Sequence, residues 1–167
     1  FSTIGVTLKA SALALCAAML IGVPAGFVLG YFDFPGRRFL RLLTETLLAF
    51  PTVVIGLVVY AFLTRHGPLG DLGFLFTIPG MAIGLAILGL PIVTAMTAVA
   101  VEGIDQDVRQ TILTLGASRL QAVRCCLAEA RHAIALAVVT AFGRIATEVG
   151  IAMMIGGNIK WHTRTLT

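Results

Sequence analysis

Four long apolar runs alternate with short polar intervals along the chain, at about 8–30, 46–63, 78–101 and 132–155. A helix needs roughly 20 apolar residues to cross a hydrocarbon layer about 30 Å thick, and runs of this length and continuity predict an all-α, polytopic membrane fold with four spans in view. The first run alone covers roughly 33 Å at about 1.5 Å per residue. Gly22, Gly26 and Gly30 recur in it at every fourth residue. Such a strip lets another helix approach closely, either within the chain, the commoner use, or in a second copy. Pro51 suits a first turn or a kink in the second run, and Pro91 predicts a kink in the third. Between those two runs, TRHGPLGDLGFLFT at 64–77 reads as a Gly/Pro-rich loop.

The interval 102–131 breaks the pattern, because it is the one long stretch rich in charged and polar residues. Asp105 can cap a short helix and Asp107 sits in its first turn, near the positive end of the helix dipole. Val108, Ile112 and Leu115 then share one face. Gly116 supplies the positive φ with which helices often end, and Ser118 with Gln121 makes a capping-box pattern for a second helix. On that helix Leu120, Val123 and Leu127 fall on one side, with Arg119, Arg124 and Arg131 available on the other. Two short helices joined by a glycine turn form a rigid knuckle, which could hold a partner or simply link two spans along the membrane surface.

Composition sharpens this picture. Of 167 residues 58% are apolar and 12% charged, and the mean hydropathy is +0.99, values that exclude an ordinary soluble domain. The net charge of +4 does not signal nucleic acid, because no basic and aromatic residues combine into one face. It reports orientation instead. Arg37, Arg38, Arg41, Arg109, Arg119, Arg124 and Arg131 flank one side of the spans, against Lys9, Arg65, Lys160 and Arg164 on the other. The positive-inside rule therefore places the Gly116 knuckle in the cytoplasm. Cys16, Cys125 and Cys126 form no disulfide framework, and no Cys/His spacing suits a metal. The start at Phe1 carries no signal-peptide pattern and looks trimmed. No GxxxxGK[ST] stretch occurs, and no Ser, Cys or carboxylate constellation suggests an enzyme.

The string TILTLGASRLQAV (111–123) resembles the EAA loop of ABC-importer permease subunits, in which EAA precedes a glycine by three residues. Counting back from Gly116, those positions hold Gln110, Thr111 and Ile112, so the chain keeps the glycine and departs from the acidic-alanine part. GRIATEVGIAMMIGGNIKWHTRTLT, FPTVVIGLVVY, HGPLG, LGFLFT and LPIVTAMTAV are similar to segments of molybdate- and tungstate-type permeases. The resemblance implies a six-span type I permease of which spans two to five are present. It also implies a homodimer in the bacterial or archaeal cytoplasmic membrane, two cytoplasmic ABC ATPase subunits and an external oxyanion-binding protein. The coupling surface would comprise Gln110, Thr111, Ile112, Leu115, Gly116, Ala117, Ser118 and Arg119. No cofactor would bind this chain, ATP and Mg belonging to the ATPase. Molybdate or sulfate are the alternatives to tungstate as cargo, and a membrane scaffold that recruits some other cytoplasmic partner is the alternative of another class.

Within the apolar runs, Arg144 and Glu148 stand one helical turn apart and are the charged pair inside a span. Intramembrane charges are costly unless they face protein, water or each other, so the pair lines the oxyanion pathway or its gate, or else braces helix packing. Thr94 and Thr97 could offer hydroxyls to a passing anion or bond their own backbone. Asn158, among glycines, suits an external gate loop, and Trp161 suits a membrane-interface anchor. His66, His132 and His162 read as surface residues.

Overall fold

A strip of small residues builds the centre of the molecule. In the computed structural model, which describes residues 3–105, 108, 111, 112, 114, 116–157, 159, 163 and 165, with Arg119 by its backbone alone, the first helix, α1, spans Thr3–Tyr31. Its buried face carries Ala10, Ala14, Ala18, Gly22, Gly26 and Gly30, one small residue per turn. That strip receives α4 (Ile78–Glu102), which packs along α1 more extensively than any other pair of helices does. A Cβ on Gly26 would stand 2.5 Å from the Thr94 carbonyl oxygen, and one on Gly30 would stand 2.6 Å from that of Ala98. The glycines therefore serve packing within the chain. Both helices continue through an internal proline, Pro24 and Pro91.

The second apolar run is not one helix. α2 (Arg37–Leu48) and α3 (Thr52–Leu63) meet at a bend of 99°, with Pro51 as the extended residue that starts α3. The helix begins nine residues ahead of the run expected at 46, inside a stretch that the charges marked as a loop. The reason is charge neutralisation across the fold. Glu102, the last residue of α4, accepts hydrogen bonds from Arg37 Nη2 at 2.7 Å and from Arg41 Nη1 at 2.7 Å. Arg37 Nε donates to the Leu29 carbonyl at 2.7 Å, Arg37 also pairs with Asp33, and Arg41 Nε reaches Glu45 at 3.1 Å. α2 therefore pairs Arg37 and Arg41 with the end of α4, while Arg38, Phe39, Leu42 and Leu43 stay exposed.

A loop with a 3-10 turn at Gly70–Leu72 leads to α4, whose start is capped by the Thr77 hydroxyl accepting from Gly80 N at 3.2 Å. After the insert come α5 (Arg119–Glu129) and α6 (Arg131–Ala146), bent by 62° at their junction. The last run, expected to be continuous over 132–155, breaks at Thr147–Val149 before a short α7 (Gly150–Gly156). By length and apolar composition α1 and α4 can each cross a bilayer alone, whereas α2 with α3 and α5 with α6 qualify only as bent pairs. Among the described residues there is no strand.

The core is layered along α4. Val6, Ala10 and Ala14 of α1 pack with Ile55, Val59 and Leu63 of α3, Met81 and Leu85 of α4, and Ile145, Ile151 and Ile155 of α6 and α7. Ala18, Val93 and Ala141 form a separate middle cluster. At the arginine-bearing end Phe27, Val101, Ile104, Cys126 and Ala130 form the third.

Candidate functional site: the Gly116 knuckle and the Arg144–Glu148 pair

The insert grows from the end of α4 and is tied down at its root. Ile104 is buried with Phe27 and Val101, and Val108, Ile112, Val123 and Leu127 pack against that cluster. Val108, Thr111, Ile112 and Thr114 are helical. Gly116 then adopts φ +76°, and the Ala117 N–H reaches back to the Ile112 carbonyl at 3.3 Å, the long hydrogen bond of a Schellman C-cap. α5 starts at once with the anticipated capping box. Ser118 N donates to Gln121 Oε1 at 2.8 Å, and Gln121 N donates to Ser118 Oγ at 3.4 Å. Two capped ends on either side of one glycine fix the turn's shape without help from the membrane helices.

Beyond the anchored root the tip is uncovered. Thr111, Thr114, Gly116 and Ser118 are exposed and Ala117 is half-buried. A Cβ on Gly116 would meet nothing within 4 Å. Leu120, expected on the apolar side with Val123 and Leu127, is 62% exposed. The buried face of α5 is Ala122, Cys126 and Ala130, flanked by Val123 and Leu127, and Leu120 lies a turn nearer the tip, outside that cluster. An uncovered leucine beside a rigid glycine turn is an apolar contact point. Gln110 and Leu115 lie outside the described residues, and the side chain of Arg119 does too.

The second site is the Arg144–Glu148 pair. Arg144 Nη1 donates to Glu148 Oε2 at 2.8 Å, and the two side chains are 44% and 5% exposed. Glu148 lies in the break between α6 and α7 rather than inside a continuous helix. Ile145, next to Arg144, fills the space at Gly89, where a Cβ would stand 2.6 Å from Ile145 Cδ1, and Glu148 shares a small cavity with Thr7, Ala10, Ser11, Met81 and Leu85. The pair therefore lies inside the bundle, in the half toward the starts of α1 and α4. The bend at Pro51 is brought to the same place, since a Cβ on Gly150 would lie 3.2 Å from Glu148 Oε1 and 3.8 Å from Val53 in the first turn of α3. Two interrupted helices and an ion pair thus converge at one place in the bundle.

The threonines belong elsewhere. Thr94 Oγ1 donates to the Leu90 carbonyl at 2.8 Å, and Thr97 Oγ1 is buried without a hydrogen-bond partner against Gly26 in the α1–α4 seam. Asn158, Trp161 and His162 lie outside the described residues. Sequence reasoning missed two residues. Glu102 was assigned to the insert but neutralises α2, and Thr163, 2% exposed, accepts from Ile159 N at 3.1 Å and donates to the Gly156 carbonyl. The contact holds Thr163 against the end of α7; only the resemblance had pointed to that residue's segment.

A chain that is helical throughout its described elements, with two bent or broken spans meeting at an ion pair and a capped knuckle in its longest polar insert, has the layout of a membrane transport subunit. Residues 22–165 match the binding-protein-dependent transport system inner membrane component family, and the chain belongs to that family. It is an integral protein of the cytoplasmic membrane. The tungstate uptake system permease protein TupB of Campylobacter jejuni is 44% identical over 166 residues, covering 99% of this chain and 70% of that protein. A probable anion ABC transporter permease protein of Haloferax volcanii is 35% identical, covering 99% of this chain and 74% of its own length. TupB of Peptoclostridium acidaminophilum is 33% identical, covering 100% and 73%.

Proposed function

We propose that this chain forms the membrane pathway of an ABC importer for an oxyanion, with tungstate as the cargo, and that ATP and Mg are bound by a partner ATPase. The observation that carries this reading is the Gly116 knuckle, pinned at its root on α1 and α4 and uncovered at its tip. A protein seated on that tip moves the bundle with it, because Ile104, buried with Phe27 and Val101, ties the root of the insert to α1 and α4. Thr111, Gly116, Ala117, Ser118 and Leu120 make the coupling surface, with Gln110, Leu115 and Arg119 completing it and Ile112, packed on the root cluster, holding it in place. The relatives named for tungstate uptake support the choice of cargo.

The pathway runs past Arg144. The outer face of α6 leaves Leu136, Val139, Gly143 and Arg144 exposed. A half-exposed guanidinium on an apolar span is tolerated where it meets protein or water, not acyl chains. A second copy of the permease covers this face and encloses an aqueous route between the two. An external binding protein delivers the anion, and closure of the ATPases drives a rigid-body switch between inward- and outward-facing states. Lipid covers the apolar outer faces of α1, α2 and α3.

Gly116→Trp tests the coupling. The full-length permease should recover its ATPase on purification, and the variant should lose it while still inserting in the membrane. Normal insertion with no ATPase bound to either protein would favour the scaffold reading.

A further inference from the structure

We propose that Glu148 is a built-in competitor for the cargo, holding Arg144 when no anion is present and expelling the anion after it has bound. The proposal deepens the pathway reading and rests on it. Its starting point is the asymmetry of the pair. Glu148 is buried and Arg144 is 44% exposed, while only one carboxylate oxygen, Oε2, takes the Arg144 hydrogen bond at 2.8 Å. The guanidinium has five donors in a planar fork, so its exposed edge can receive a second, external oxyanion from the pathway side. The ion pairs of α2 join it to Asp33, to its own Glu45 or to Glu102 at the end of α4. The Arg144–Glu148 pair instead lies inside the bundle, with Glu148 beside Ala10, Ser11, Met81 and Leu85.

The chemistry of a transport route requires such a counterweight. An unopposed arginine in a low-dielectric site would bind a dianion tightly and hold it, whereas conduction needs binding strong enough for entry and weak enough for release. Glu148 supplies the opposing charge from a fixed position. Its backbone N–H bonds the Ile145 carbonyl at 3.2 Å, and Gly150 keeps space beside Oε1 that a side chain would crowd at 3.2 Å. A carboxylate held in a helix break can turn away from Arg144 without unwinding a helix, then return to displace the anion. Glu148 is accordingly a positioning residue that acts on the cargo through Arg144.

The test uses the full-length permease assembled with its ATPase, and measures tungstate binding by equilibrium dialysis without the external binding protein and uptake in proteoliposomes with that protein added outside. Glu148→Gln should bind tungstate about tenfold tighter or more, the scale on which one nearby charge alters an ionic equilibrium, while its maximal uptake falls. Glu148→Asp, which keeps the charge on a shorter arm, should bind with an affinity between the two. Arg144→Gln should lose binding. Glu148→Gln with wild-type or weaker binding overturns the competitor role, as does failure of both Glu148 variants to assemble, which would make Glu148 a structural brace. If Arg144→Gln binds and transports normally, the pathway reading itself fails.

Discussion

Replacing Gly26 with alanine should loosen the seam between α1 and α4, and the size of the effect follows from the packing. The new Cβ would stand 2.5 Å from the Thr94 carbonyl oxygen and 2.7 Å from Thr97 Cβ, against an ordinary contact of about 3.5–4 Å. Both obstacles lie on or next to the α4 backbone, so relief requires the helices to part by roughly 1 Å. Overpacking of this kind costs about 1–3 kcal/mol, and the better helix propensity of alanine returns up to about 1 kcal/mol. The net loss is about 1–2 kcal/mol, or roughly 2–8 °C for a chain of this size. Cys126, 1% exposed in the cluster at the same end of the seam, reports the melting. With Cys16 and Cys125 replaced by serine, a thiol-reactive dye on the detergent-solubilised permease should label Cys126 at lower temperature in Gly26→Ala than in the wild type. A Gly26→Ala protein that melts at or above the wild type refutes the account of the seam.

Two further variants probe single hydrogen-bonding groups. Thr97→Val removes a buried hydroxyl that has no partner and keeps its shape, so stability should hold or rise by up to about 1–2 kcal/mol with uptake unchanged; a clear drop in either would mean that the hydroxyl has a role. Ser118→Ala deletes the capping box at the start of α5 and should cost about 1 kcal/mol. Its main effect should be weaker ATPase recovery with the Cys126 melting little changed, and full recovery would show that the turn's rigidity is dispensable.

Much of the fold is legible in the sequence because the bilayer imposes one strong rule. Continuous apolar runs marked α1 and α4, and the spacing of Gly22, Gly26 and Gly30 marked their seam; the extension through Ala10, Ala14 and Ala18 was harder to see, since alanine is common on every face of a helix. α2 was hidden because Arg37, Arg41 and Glu45 look like loop residues until Glu102, more than sixty positions away, is brought beside them. The break at Thr147–Val149 was missed for a related reason. Hydropathy averages over three residues, and Glu148 next to Gly150 is a local signal within a long apolar run. At the insert, Gly116 and the Ser118–Gln121 box were readable because caps depend on residues three or four apart. The exposure of Leu120 was not, because it depends on where the neighbouring helices end.

The central claim is that movement at the Gly116 knuckle drives an oxyanion across the membrane. Its most direct test is ATP-dependent uptake of tungstate into proteoliposomes that hold the full-length permease and its ATPase, with the external binding protein added outside. The wild type should accumulate tungstate only when ATP is supplied to the ATPase side, and Gly116→Trp should abolish that uptake. An assembled wild-type complex that hydrolyses ATP yet moves no tungstate, molybdate or sulfate would contradict the account.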